Sequence, residues 1–343
     1  MLVRAFALLV MFLALCGSEW GQEQKLPELL RDGRQALQAN DFVRAARDFS
    51  QAILLAPENL EVNRGLLLSD LQVGRMDEAV RVGRAAVAKW PKDAQLQHWL
   101  GLVYFKEGQN SDALKWLRGS GQLAPTVADV PFDTALVLLS DTNYSDAAIE
   151  LEKAIRLDSK SALAHVLLGR AYQNTNRTVQ AVEQFQTALW LEPAVSLGHY
   201  HLGFAYASLG RNQEAIAEFE KEMQRSPSNP QVLFQLGHCE LEAGLWSRAT
   251  EHLKQAAQLD PGNADALYDL GKTLLLRGDA EGALIPLRRA IELKPSNPSA
   301  HYQLARALEK SGKKEAAEQE LATFAALKKM QPATGGMAAG PVQ

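Results

Sequence analysis

The chain has 343 residues, 47% of them hydrophobic and 22% charged, with a formal net charge of −4. That composition folds and is not that of a disordered chain. The mildly acidic balance argues against a nucleic-acid binder, which needs many cations to neutralise phosphates. The two cysteines, Cys16 and Cys239, provide no disulfide framework, and only Cys239 survives if the N-terminus is removed beyond Cys16.

At the N-terminus, Arg4 precedes an apolar run of 12 residues, Ala5 to Cys16, followed by Gly17, Ser18 and Glu19. A cationic start, a short apolar core and small residues after it predict a secretory signal peptide over 1–18, cleaved after Ser18, and a short linker over 19–25. The run is too short to span a bilayer, which takes about 20 residues. An uncleaved anchor or a mis-assigned start is the plain alternative. A lipoprotein signal would use Leu13-Ala14-Leu15-Cys16, but Leu15 is large where such signals prefer a small residue.

From Leu26 to Gln331 the sequence repeats with a period of 34 and no insertion, giving nine repeats: 26–59, 60–93, 94–127, 128–161, 162–195, 196–229, 230–263, 264–297 and 298–331. Positions are numbered 1 to 34 within each repeat. Between the fifth and sixth repeats, Leu168, Gly169, Tyr172, Ala181, Phe185 and Pro193 coincide with Leu202, Gly203, Tyr206, Ala215, Phe219 and Pro227. Position 20 is alanine throughout, from Ala45 to Ala317, and position 8 is small in every repeat but the second, where it is Leu67. Small residues let helices approach at the near end of the usual 8–10 Å spacing, so positions 8 and 20 are expected to form the crossing. Positions 4, 7, 8 and 11 make one apolar helical stripe (helix A), and 20, 24 and 27 make another (helix B). Between them, position 15 is Gly74, Gly108, Gly210, Gly244, Gly278, Gly312, Asn40 or Asn176, residues that tolerate a left-handed helix end. Prolines such as Pro57, Pro193 and Pro227 stop helix B, and Asn59, Asp93, Ser161, Asn229, Asn263 and Asn297 are placed to cap the next helix A.

This pattern resembles the tetratricopeptide repeat (TPR), whose unit is a 34-residue helix–turn–helix with a Leu-Gly…Tyr…Ala…Phe…Pro signature. The resemblance covers all nine repeats and implies an all-α, right-handed superhelical solenoid that binds other proteins. The related pentatricopeptide arrays read RNA; the period and acidic balance here set that reading aside.

Three repeats depart from the pattern. The first has Asp32 and Ala36 at positions 7 and 11, as a capping repeat would. The fourth has Pro131 at position 4 and Thr142 at the turn, which predicts a late start to its helix A and a bend. The ninth has Phe324 and no proline stop, and the tail 332–343, rich in Gly, Ala and Pro, is expected to be disordered.

No catalytic constellation, phosphate loop or metal motif stands out, so no enzyme activity and no cofactor is expected. Cys239 occupies a slot for small packing side chains, and the adjacent His238 does not make it a thiol catalyst. His165, His199 and His301 share position 4, where packing is the default reading, and His199 and His201 point to different helix faces.

In TPR proteins, positions 2, 5, 9, 12 and 13 of helix A line the concave groove, and here they lie opposite the core stripe. Position 5 reads Phe132, Val166, Tyr200, Phe234, Tyr268 and Tyr302 in the fourth to ninth repeats, an aromatic ladder that serves either recognition or bracing of a neighbouring helix. Position 9 lacks the Asn frequent in the family, so the carboxylate clamp of chaperone-binding TPRs is not reproduced. It is apolar at Leu68, Leu102 and Leu136, then Arg170, Phe204, His238, Lys272 and Arg306. With Leu275 at position 12, the later repeats are expected to offer a basic, aromatic groove to an acidic or carboxylate-bearing segment. The expected function is a non-enzymatic adaptor in an exported compartment, periplasmic or extracellular, binding an extended peptide or helix. It would bind no nucleic acid and meet a membrane only through the leader or a lipid. The alternatives are an envelope-assembly or secretion lipoprotein held through Cys16, and an accessory subunit of an enzyme encoded elsewhere.

Overall fold

The computed structural model describes residues 25–330, and every regular element among them is a helix. The leader, most of the linker and the tail lie outside the described residues. The helices are α1 (25–38), α2 (Phe42–Leu55), α3 (Leu60–Val73), α4 (Met76–Lys89), α5 (Ala94–Lys106), α6 (Asn110–Leu123), α7 (Asp129–Ser140), α8 (Tyr144–Leu157), α9 (Ala162–Asn174), α10 (Thr178–Leu191), α11 (Gly198–Ser208), α12 (Asn212–Arg225), α13 (Pro230–Glu242), α14 (Trp246–Leu259), α15 (Ala264–Leu276), α16 (Ala280–Leu293), α17 (Pro298–Lys310) and α18 (Lys314–Met330). Two helices fall in each 34-residue repeat. Odd numbers are A helices and even numbers B helices. The chain divides into two compact units between Thr175 and Asn176, the first holding α1–α9 and the second α10–α18. Within each unit, consecutive helices pack on one another, and A helices also touch the next A helix at α3–α5, α5–α7, α11–α13, α13–α15 and α15–α17.

Start and stop signals act as the sequence predicts. Side chains of Asn59, Asp93, Ser161, Asn229, Asn263 and Asn297 accept backbone N–H bonds at the starts of α3, α5, α9, α13, α15 and α17. The turn residue adopts the left-handed conformation at the glycines and at Asn40 and Asn176, and also at Thr142 (φ 56°), a β-branched residue for which that conformation is costly.

The close crossing differs from expectation. Position 8 packs chiefly under position 24, not position 20. A Cβ placed on Gly33 would meet the Phe49 ring at 2.8 Å, on Gly101 the Leu117 Cγ at 2.8 Å, on Gly203 the Phe219 ring at 3.0 Å and on Gly237 the Leu253 Cγ at 2.7 Å. Position 20 alanines sit fully buried beside this contact. The exception at Leu67 is compensated: the second repeat has Gly83 at position 24, and a Cβ there would lie 3.1 Å from Leu67 Cδ1. Bulk and gap have changed places across one helix pair.

Two other expectations need adjustment. Ala36 is buried in the N-terminal core cluster with Phe49 and Leu66, so helix α1 contributes core rather than only an outer cap. Helix α7 starts one residue into its repeat, with Pro131 in its first turn; α11 starts later still, after Leu197 in a left-handed conformation (φ 57°). Position 11 carries a recurrent contact. Tyr172 Oη donates to Glu152 (2.8 Å), and Gln186 Nε2 donates to Tyr206 Oη (2.8 Å), each reaching the preceding B helix. Asp70 and Glu240, both fully buried, occupy the same position.

Candidate interaction face

In the C-terminal unit, α11, α13, α15 and α17 bring positions 5 and 9 onto one face, because residues four apart on a helix are neighbours. Tyr200 lies 6.5 Å from Phe204 and Phe234 lies 6.1 Å from His238, centroid to centroid; the Arg306 guanidinium sits 5.9 Å from the Tyr302 ring. Tyr268 and Lys272 follow the same spacing and are half-buried. Phe204 and Tyr302 are exposed. The rings also brace: Tyr200 packs 5.9 Å from Phe219 on α12, and Tyr302 packs 5.3 Å from Phe324 on α18. The bracing role foreseen for the ladder is therefore met at Tyr200 and Tyr302. Burial raises the Tyr200 phenol, partly offset by a hydrogen bond with Gln231.

The cations are less free than the sequence suggests. His238 Nδ1 bonds Asp269 Oδ2 at 2.8 Å, and Lys272 Nζ donates to Glu242 Oε1 at 3.0 Å, so two ion pairs tie α13 to α15. The Asp269 hydrogen bond raises the His238 imidazole against its partial burial, with Glu242 adding to the rise. Burial opposes the Lys272 charge, but the Glu242 bond outweighs it and holds the ammonium above its ordinary value. Lys272 in turn lowers Glu242. Arg306 keeps only Gln303 Oε1, at 3.2 Å, and has no acidic partner among the described residues. Leu275 does not belong to this face: it is buried in a core cluster with Leu287 and Leu304, because position 12 turns back toward helix B of its own repeat.

In the N-terminal unit the corresponding face is apolar at position 9 of α3, α5 and α7 but carries Arg64 and His98 at position 5 of α3 and α5. Leu68, Leu102, Leu136 and Phe132 are half-buried on α3, α5 and α7, and Arg170 is exposed on α9. His98 Nε2 bonds Asp133 Oδ2 at 2.6 Å, and Arg64 bonds Asp93. Sequence reading gave Asp93 only a capping role and missed Asp133. The signal was present in Asp133 and Asp269, both at position 6 of the repeat that follows their histidine partners.

The other reactive side chains are structural. Cys239 is fully buried, and burial, with Glu240 and Glu242 nearby, pushes its thiol up to about 12. His199 and His301 each bond a helix-B carboxylate, Glu218 and Glu320, at 2.6 Å, and His301 Nε2 faces the Pro295 carbonyl at 3.1 Å. His165 Nε2 faces the Ser159 carbonyl at 3.4 Å, and His201 stacks 5.5 Å from Phe185. Among the described residues no three His, Cys, Asp or Glu side chains gather as a metal site, and no helix is long and apolar enough to cross a membrane.

Helical hairpins repeated in register along each compact unit define a helical-repeat scaffold. Tetratricopeptide repeat family models match residues 30–94, 65–127, 132–195, 167–230, 234–298 and 274–333. The chain belongs to the tetratricopeptide repeat family. No protein of curated function matches it in sequence. Among solved structures it is similar to PilW, a widely conserved type IV pilus biogenesis factor (21% identity, 60% of this chain and 94% of that one, TM-score 0.52). It is also similar to a tetratricopeptide repeat protein from Parabacteroides merdae (18%, 73% and 99%, TM-score 0.51). The match to the Cut9–Hcn1 hetero-tetramer of the APC/C spans about half of that chain (19%, 78% and 52%, TM-score 0.51). At these identities the likeness shows the fold alone.

Proposed function

We propose that the protein is a non-catalytic adaptor that holds an extended peptide or helix of a partner protein against the A-helix face of its C-terminal unit, in an exported compartment. The observation that carries this reading is the repeated pairing of a ring at position 5 with a polar or aromatic group at position 9: Tyr200 with Phe204, Phe234 with His238, Tyr268 with Lys272, Tyr302 with Arg306. Rigid rings supply contact area at low entropic cost, and a cation beside a ring suits a carboxylate. The internal pairing of His238 and Lys272 concentrates the acid-binding role on Arg306. Export is supported by Arg4 and the apolar run to Cys16.

The test is a pull-down from the native host's soluble extract with wild type and Tyr302→Ala/Arg306→Glu, read by mass spectrometry, with the intact mass of the native protein measured alongside. A partner retained by wild type and lost by the variant is expected, with a chain beginning near Glu19. Equal retention by both sinks the proposed face, and a cytosolic chain keeping Met1 sinks export. A mass showing lipid on Cys16 replaces the soluble adaptor with the lipoprotein.

A further inference from the structure

A pocket of ≈ 520 Å³ opens between α6, the α6–α7 connection and α8, lined by Leu117, Val130, Pro131 and Leu157 with Arg118, Lys153 and Arg156 among others. None of its lining residues lies at positions 5 or 9, so it is separate from the face described above. Its origin is legible in the repeat. Position 28 is Ile53, Val87, Ile155, Leu189, Met223 and Ile291 elsewhere, or Ala257 and Ala325; only the third repeat has glycine, Gly121. Met223 shows what the slot normally does: it packs against Leu233, Ala256 and Ala266 and closes the gap to the next helix A. Opposite Gly121, the usual long side chain of position 4 is replaced by Pro131. Two absent side chains meet, and the plug is missing.

Nothing about the backbone requires glycine there. A Cβ on Gly121 would meet only Val130 Cγ1, at an ordinary 3.5 Å. A helix-interior glycine costs roughly 0.5–1 kcal/mol relative to alanine, so the gap carries a cost in both propensity and packing. The charged lining is net positive. Glu150 is tied to Lys153 at 2.7 Å, while Arg118 and Arg156 have no ion-pair partner among the described residues. Leu123, Val127 and Leu157 are exposed in the same region. The volume falls in the range of about 300–1,000 Å³ typical of ligand sites, which join an apolar floor to a few polar groups.

We infer that this pocket binds an aliphatic carboxylate, its chain in the gap left by Gly121 and Pro131 and its carboxylate on Arg118 and Arg156. A medium-chain fatty acid and the apolar C-terminal residue of a polypeptide present that same chemistry. Guanidinium groups favour carboxylates through paired, charge-assisted hydrogen bonds.

The test is calorimetric titration of the full chain with octanoate, with N-acetyl-leucine as the mimic of a chain end, and with octanol as the uncharged control. At least one carboxylate is expected to bind below millimolar Kd, and octanol at least about tenfold more weakly than octanoate. The stronger of the two carboxylates identifies the source. Gly121→Ile restores the residue of the first, fourth and eighth repeats and is expected to weaken binding at least about tenfold without lowering Tm; the surface change Arg118→Gln/Arg156→Gln is expected to do the same. The inference is overturned if neither carboxylate binds at millimolar concentration, or if octanol matches octanoate. Wild-type affinity in a folded Gly121→Ile protein overturns it too. Should that variant fail to fold, wild-type affinity in the double arginine variant is equally decisive.

Discussion

Asp70 offers the sharpest test of the packing argument. Its side chain is fully buried at position 11, and neither carboxylate oxygen has a hydrogen-bond partner among the described residues. The nearest cation is Arg75, whose Nη1 lies 3.8 Å away. Burial raises the carboxyl from 3.8 to about 6, against the pull of Arg75 and Arg81 and with Glu78 adding to the rise. The folded state therefore binds the proton more tightly than the unfolded one. Stability from this group is highest below the unfolded value and is lost as pH climbs toward the folded value, leaving the full penalty above it. About two pKa units at roughly 1.4 kcal/mol each set that penalty near 3 kcal/mol. Asp70→Leu installs the residue found at Leu138, Leu274 and Leu308. It should stabilise the N-terminal unit by about 1–3 kcal/mol at pH 7.5, and the gain should shrink steadily toward pH 4. Denaturant unfolding of both proteins across that pH range, with hydrogen exchange to localise the change, reads the difference directly. A gain independent of pH, or a variant less stable at pH 7.5, would refute the account of a stranded carboxylate.

Gly203→Leu drives a side chain into the Phe219 ring and should cost about 1–3 kcal/mol, with hydrogen exchange accelerated most in α11–α13; uniform loss through the unit would contradict nearest-neighbour packing. Thr142→Gly removes a β-branched residue from a left-handed turn and should stabilise by about 1 kcal/mol; a lower melting point would show that the Thr142 side chain contributes more than its strain costs. Lys272→Glu/Arg306→Glu sets Glu242 against a like charge at an accessible site, so its stability cost should stay within about 1 kcal/mol. The same variant should weaken a captured partner, chiefly through slower association that raised salt mimics in wild type; unchanged capture at low salt would move attention to the apolar face around Leu68, Leu102 and Leu136.

The helices were readable because their signals are local. Asn229 followed by Pro230 starts a helix wherever it occurs, and Gly244 ends one, with little help from distant residues. The crossing was half readable: alternating small residues announced close approach, but the partner of Gly203 depends on how helix A lies across helix B, and the choice between Ala215 and Phe219 is made in three dimensions. The interaction face was least readable. Position numbers put Tyr268, Lys272 and Leu275 on one stripe, yet the stripe is wide, and Leu275 falls on its buried edge. The ion pairs of Lys272 and His238 reach across 30 and 31 residues, so a scan within one repeat could not see that their charges were already engaged.

The exchange of bulk between Leu67 and Gly83 bears on how such arrays can be rebuilt. Helix A of the second repeat, joined to helix B of the third, would set Leu67 against Leu117, while the reverse graft would leave Gly101 facing Gly83 across a void. Hairpins here are transferable whole but not by halves, since the second carries a matched lock and key that its neighbours lack. Recombination with breakpoints at the Pro57 and Pro91 stops would preserve the match, whereas breakpoints at the Gly74 turn would break it. A library shuffled at both kinds of site should therefore recover folded chains mostly from the first.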